Sequence, residues 1–224
     1  LQEDFDDSIR PHLAGNRLID RPEVDEVLKS LNSEAFPDAL VLHGSAGHGK
    51  SGVLYQLTEK LRQQGTPFLA LRLDRKHPKG SPRQFGVDLG LPESPVNCLA
   101  EVSGGKHAVL ILDQLDALRW TASHSTEGLE VCNGLLREVR SMRLLGGRIS
   151  IVLCCRTFDL EHDPQIRTWL KPTESFAVKK VAIGELPESR VREFAESFGI
   201  NFDRMASKRQ TLLRSVQNLA IWAE

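Results

Sequence analysis

No stretch of this 224-residue chain holds the roughly 20 consecutive apolar residues of a membrane span, and nothing in it resembles a secretory signal. Neither sign of charge dominates. The 29 basic and 30 acidic residues leave a net charge of −1, so no global field draws the chain to nucleic acid or to an anionic membrane. Cysteine is scarce as well. Cys98, Cys132, Cys154 and Cys155 show no C-x-x-C spacing, which argues against a disulfide framework or a zinc site and for core thiols in a reducing cytoplasm. Internal repeats and low-complexity tracts are missing too. A chain of this length can bury one full core and a small second one.

Against that plain background one stretch stands out: Gly44-Ser45-Ala46-Gly47-His48-Gly49-Lys50-Ser51. It satisfies the phosphate-binding pattern G-x-x-x-x-G-K-[ST] at every fixed position. Gly44, Gly47 and Gly49 are expected to turn the backbone at positive φ and bring its N–H groups close to an anion. Lys50 can reach β- and γ-phosphates, and the Ser51 hydroxyl can ligate Mg²⁺. Context supports the motif. Ala39–His43 reads as a buried parallel strand, and Val53, Leu54, Leu57 and Leu61 fall at helical spacing before Gly65. Strand, loop and helix follow in the order a nucleotide site needs.

The rest of the chain alternates in the same manner. Residues 1–15 are acidic and weakly patterned, as in a linker or arm, and a helix is expected from Pro22 with Val24, Val27, Leu28 and Leu31 on one face. Further strands are expected at 67–74, 107–113, 148–155 and 176–183. Residues 75–95, rich in Pro and Gly, read as a connection with at most one helical turn. A short helix follows around Cys98 and Val102. Residues 127–145 are strongly helical after a polar loop at Thr121–Thr126, and Arg137, Arg140 and Arg143 there read as a solvated face, with an arginine finger or partner contact as the alternative. Asp163-Pro164 reads as the N-cap and first turn of a short helix through Leu170. From Pro187 the pattern is helical to Glu224. Together these imply a three-layer α/β/α fold: a parallel five-stranded sheet of order 5-1-4-3-2 in residues 16–185, with the start of a helical lid in 186–224. A chain that begins at Leu1 and stops inside an apolar helical pattern is expected to be a piece of a longer protein.

Two further clusters complete the candidate site. Val109-Leu110-Ile111-Leu112-Asp113 is an apolar strand ending in a carboxylate, as a Mg²⁺ site opposite a phosphate loop requires. Asp116, three residues on, can orient or deprotonate an attacking water; a helix N-cap is the alternative. Position 114 is Gln rather than Glu, which fits slow turnover. The strand ending Leu153-Cys154-Cys155-Arg156 places a cation where it can sense a γ-phosphate; a surface ion pair is the alternative. Asp159, Glu161, His162 and Asp163 read as loop and cap rather than as a metal cluster. His43 and His48 are expected to pack or face solvent.

Taken together, Gly44–Ser51, Leu112-Asp113-Gln114-Leu115-Asp116 and Cys155-Arg156-Thr157-Phe158-Asp159-Leu160 resemble the STAND class of signalling ATPases, close to its NACHT and AAA+-like members. Ile19-Asp20-Arg21-Pro22-Glu23 is similar to the hydrophobic-Gly-Arg-Glu segment that contacts adenine in that class, with Asp20 in place of glycine, and this makes Arg21 a nucleotide-binding candidate. Leu212-Leu213-Arg214-Ser215-Val216 resembles its lid segment before a nucleotide-touching proline, with Val216 at the proline's position. The resemblance covers residues 16–224. It implies a module that binds ATP or ADP with Mg²⁺ and sits between effector and sensor domains of one chain. Such a module assembles into a nucleotide-dependent homo-oligomer, in many prokaryotic cases in defence against phage. The alternatives are a motor- or loader-type AAA+ ATPase acting on DNA or protein, a small-molecule phosphotransferase, and a module that holds nucleotide without turnover.

Overall fold

The computed structural model describes residues 1–10, 14–120 and 125–223. Its centre is a sheet of five parallel strands: β1 (Ala39–Gly44), β2 (Phe68–Arg72), β3 (Ala108–Asp113), β4 (Ile149–Arg156) and β5 (Val178–Ala182). They lie in the order β2-β3-β4-β1-β5, which is the expected order read from the other edge. Near-continuous apolar strands form such a sheet because both of its faces are covered. Successive residues alternate between the faces. Val41, Leu110, Leu112, Ile151 and Leu153 enter one core, whereas Leu40, Leu42, Val109, Ile111 and Val152 enter the other.

The first face carries α4 (Pro82–Asp88), α5 (Pro95–Ser103) and α7 (Ser125–Leu144), through Phe85, Val96, Leu99, Leu135 and Val139. The second carries α1 (Gln2–Ile9), α2 (Pro22–Leu31) and α3 (Lys50–Gln63), through Phe5, Ile9, Val24, Val27, Leu54 and Leu57. Short helices α6 (Ala117–Trp120), α8 (Thr157–His162) and α9 (Pro164–Trp169) follow β3 and β4. The chain ends in α10 (Glu188–Ser197), α11 (Ser207–Leu212) and α12 (Val216–Ala223), around a third cluster of Leu186, Val191, Phe194, Phe202, Leu213 and Leu219. Ala14 belongs to that cluster as well, so the segment before α2 touches the C-terminal helices.

Four expectations need correction. Residues 2–9 are not an arm: they form α1, because Phe5 and Ile9 fall one helical turn apart and are buried. The 75–95 connection holds the seven-residue α4, started by a Ser81 hydroxyl that accepts from Gln84 N at 3.2 Å. Asp159, Glu161 and His162 lie in α8 rather than in a loop, while Asp163 caps α9 as read, accepting from Gln165 N and Ile166 N. Of the α7 arginines, Arg137 is exposed as expected, but Arg140 and Arg143 turn inward. Arg143 pairs with the buried Asp38 and stacks at 4.1 Å on Phe36, and Arg140 lies 4.2 Å from the centre of Phe176. Asp38 also accepts from Ala177 N, so one carboxylate fastens α7 to the starts of β1 and β5. Residues 121–124 of the expected polar loop lie outside the described residues.

Three of the four cysteines are buried and Cys98 is half-buried, all as free thiols. Burial pushes Cys132 and Cys155 up to about 12, which leaves them protonated and inert. Strand β5, at one sheet edge, carries Lys179 and Lys180 in succession, one toward each face of the sheet. Among the described residues no helix is long and apolar enough to cross a membrane.

Because α1 is part of the core, Phe5→Ala should destabilise the fold by about 3 kcal/mol, the usual cost of emptying a buried phenylalanine site. Urea unfolding of the variant checks this; a loss near zero would return α1 to an arm.

Candidate functional site

Open parallel sheets bind ligands beyond the C-terminal ends of their strands. There β3 and β4 deliver Asp113 and Arg156, and β1 leads into the loop that brings Gly47, Gly49 and Lys50, to one cleft of about 510 Å³. Gly47, Gly49, Lys50, Ser51, Asp113, Asp116 and Arg156 supply its loop backbone and its charge. Ile9, Leu18, Ile19, Val216 and Ile221, from the N-terminal segments and the last helix, supply apolar lining.

The loop from Gly44 to Ser51 turns on two glycines. Gly47 (φ 80°) and Gly49 (φ 84°) adopt the left-handed conformation. Gly44 does not, contrary to the expectation. It is needed for space, because a Cβ there would lie 2.3 Å from the backbone oxygen of Ile183. The segment at the start of α12 packs on the same loop: Gln217 N donates to Gly47 O at 3.0 Å, Ser215 Oγ to the same oxygen at 3.3 Å. A Cβ on Gly49 would lie 2.8 Å from a Val216 methyl. Val216 thus touches the phosphate loop itself.

Lys50 opens α3 and folds back, its Nζ donating to Gly44 O and Ser45 O at 3.0 Å each. Ser51 Oγ donates to Asp113 Oδ2 at 2.8 Å. The other oxygen of Asp113 accepts from Gln114 N at 2.8 Å. Gln114 sits at φ 63°, the one non-glycine at positive φ among the described residues, and this turn leads β3 into α6. Burial raises the Asp113 pKa, against the hydrogen bond from Ser51 and the nearby Arg72 charge. A hydroxyl and a carboxylate oxygen at this spacing, the latter buried and short of positive charge, suit a small hard cation that would keep most of its ligands as water and phosphate.

Asp116 is buried just before α6, at the N-cap position, but its carboxylate pairs with Arg156 Nε at 2.8 Å. Burial raises its pKa and the Arg156 charge opposes the rise. The two residues read separately as water-orienting base and phosphate sensor are therefore bound to each other.

Arg21 is buried and paired with Glu23 at 2.7 Å; it also donates to Gly184 O at 2.8 Å and to His48 O at 3.4 Å. It braces the loop from behind and also borders the cleft. His48 Nδ1 lies 3.2 Å from Ile183 O, and His43 Nδ1 lies 3.1 Å from Thr157 Oγ1, so both histidines pack. Burial lowers the pKa of His43, helped by Lys180. Ser45 and Ala46 complete the loop, Ala46 on the cleft wall. Among the described residues no group of three His, Cys, Asp or Glu is arranged to hold a metal.

Sequence reasoning missed Gln56 and Arg72. Gln56 Nε2 donates to Ile19 O at 2.8 Å and its Oε1 accepts from Arg21 N at 3.3 Å, clamping the 19–21 segment to α3. Arg72 pairs with Asp74 at 2.7 Å and donates to Ser8 O at 3.0 Å, tying α1 to the cleft wall. Neither belongs to a motif; only the fold brings them to the site.

No protein-family model matches the chain. Among curated proteins, CD-NTase-associated protein 6 of Escherichia coli (strain KTE188) is 26% identical over 153 residues, 66% of this chain and 51% of that protein. The chain thus spans about half the length of the curated relatives it matches. Among solved structures, the Walker-type ATPase PABY2304 of Pyrococcus abyssi aligns with a TM-score of 0.58 at 14% identity, over 92% of this chain and 66% of that one. The replication initiator DnaA bound to AMPPCP and single-stranded DNA aligns at 0.57 and 15% identity, over 96% and 64%. A chain of the HORMA:CdnC:Trip13 complex of E. coli MS115-1 aligns at 0.50 and 17%, over 95% and 72%. The fold is that of the P-loop ATPases.

Gly44→Ala should cost about 1–3 kcal/mol of stability, since the methyl must push the Ile183 backbone away. Chemical denaturation measures it, and an unchanged midpoint would show that the contact yields freely.

Proposed function

We propose that this chain is the ATP·Mg²⁺-binding, slowly hydrolysing switch module of a larger multidomain signalling protein. One observation carries the reading: Lys50, the Ser51–Asp113 pair and Arg156 converge in one cleft beneath a lid segment hydrogen-bonded to the phosphate loop. The glycine loop, Lys50 and Arg156 take the phosphates, and the apolar lining takes the base. Ser51 and Asp113 would hold Mg²⁺, which when bound draws charge from the phosphate oxygens. The loop N–H groups and Lys50 bind the phosphate chain, Lys50 giving up its two carbonyl partners. Asp116 orients or deprotonates the attacking water, and Arg156 contacts the γ-phosphate. Arg21 serves the nucleotide indirectly, by bracing the loop and the 19–21 segment.

Residues 16–185 then act as the nucleotide-binding core and 186–224 as the start of a lid that reports on it. The bond from Gln217 to the loop supports such coupling, because a change in the loop must move α12. The STAND-type reading rests on the motif combination, and a setting in antiphage defence on the CD-NTase-associated relative. In the full-length protein the switch would control homo-oligomerisation, with the effector and sensor domains in the same chain. A cytoplasmic setting, with no membrane or nucleic-acid partner for this module, fits its balanced charge.

Lys50→Ala should abolish measurable ATP·Mg²⁺ binding in calorimetry while the melting temperature stays near wild type; unchanged affinity would overturn the site assignment. The wild-type chain should release phosphate far more slowly than the ~10 s⁻¹ of a median enzyme and scatter light as a monomer or weak dimer. A stable ring with fast turnover, stimulated by single-stranded DNA, would instead favour the loader-type alternative.

A further inference from the structure

The pairing of Arg156 with Asp116 differs in kind from the contacts that Lys50 makes. Lys50 rests on two backbone carbonyls of its own loop, and any phosphate chain seated there displaces those bonds. Arg156 instead rests on a carboxylate, its Nε 2.8 Å from Asp116 Oδ2. The Asp116 side chain is 4% exposed and that of Arg156 45%. Register with Gly44 across β1 and β4 sets Arg156 beside the start of the phosphate loop. Both partners line the cleft.

We propose that Asp116 sets the preference between nucleoside triphosphate and diphosphate, by competing with the terminal phosphate for the Arg156 guanidinium. This rests on the nucleotide reading given above. Carboxylate and phosphate oxygens are alternative acceptors for the same N–H donors. A diphosphate ends short of Arg156 and leaves the pair intact. A triphosphate adds the phosphoryl group that Arg156 would bind, and the exchange strands a buried carboxylate without its counter-charge. That cost falls on the triphosphate alone. Asp116 thereby holds triphosphate affinity below what Lys50 and Arg156 would otherwise give, and keeps the diphosphate competitive. The same exchange frees the Asp116 carboxylate to orient water only once a γ-phosphate is present.

The test is a double-mutant cycle read as an affinity ratio. Calorimetry with Mg²⁺ measures AMPPCP and ADP binding to wild type, Asp116→Asn, Arg156→Gln and the double variant. Asp116→Asn should raise the AMPPCP-to-ADP preference about fivefold, the scale of a partly exposed ion pair. In the Arg156→Gln background the same change should leave the ratio untouched. An equal gain in that background would mean general charge removal and overturn the proposal, as would no gain in Asp116→Asn alone. If wild type binds neither nucleotide, the nucleotide reading itself falls, and the inference with it. Should Asp116→Asn fail to fold, ¹⁵N NMR of wild type decides instead. The Arg156 Nε–H signal, assigned by its loss in Arg156→Lys, should stay in place with ADP and shift with AMPPCP; the same position with both ligands overturns the proposal.

Discussion

The hydrogen bond from Ser51 to Asp113 joins the first turn of α3 to the last residue of β3. Much of the site hangs on it. Strand β4 lies between β1 and β3, so the Gly44–Ser51 loop and Asp113 come from strands that are not neighbours. Only the loop's reach across the ends of the sheet lets them meet. Asp113 can hold that position because its second oxygen is fixed by Gln114 N, in a backbone turn that an L-residue adopts reluctantly. The strained turn and the buried carboxylate each cost stability, and the two cores beneath them supply it.

A common thread runs through the cleft: each group suited to phosphate or metal is already engaged by the protein. Lys50 has carbonyls, Ser51 has Asp113, and Arg156 has Asp116. Polar and charged groups taken partly out of water need such partners. A ligand that used these groups would exchange partners with the protein, so its net binding free energy would be smaller than the new contacts suggest.

The sheet was legible because each strand is a short apolar run closed by turn residues, and because a phosphate loop after β1 constrains the order of its neighbours. The glycine loop, Asp113 and Arg156 were legible because their chemistry sits in local patterns. Three kinds of feature were not. Helix α1 was hidden by its acids: Glu3, Asp4, Asp6 and Asp7 mask the turn that buries Phe5 and Ile9. Arg140 and Arg143 of α7 read as surface because periodicity says nothing of Asp38, Phe36 and Phe176 waiting across the fold. Gly44 carries no mark that separates a glycine needed for its φ from one needed for the space it leaves. Gln56 holds the 19–21 segment, and Arg72 holds α1, through partners 35 or more positions away, beyond the reach of any local pattern.

Strand β5 has one hydrogen-bonded neighbour, so its outer side offers free backbone groups to any other strand. Lys179 and Lys180 occupy its middle, and Lys179 is held by Glu26 and by the Ser30 hydroxyl of α2. Adjacent lysines at a sheet edge repel a second copy of the same edge and resist the desolvation that strand addition requires. Growth by joining sheets edge to edge is therefore disfavoured at β5, so assembly of these subunits would rely on side-chain faces rather than on backbone continuity. Copies of this chain that met at β5 would not extend one sheet into another.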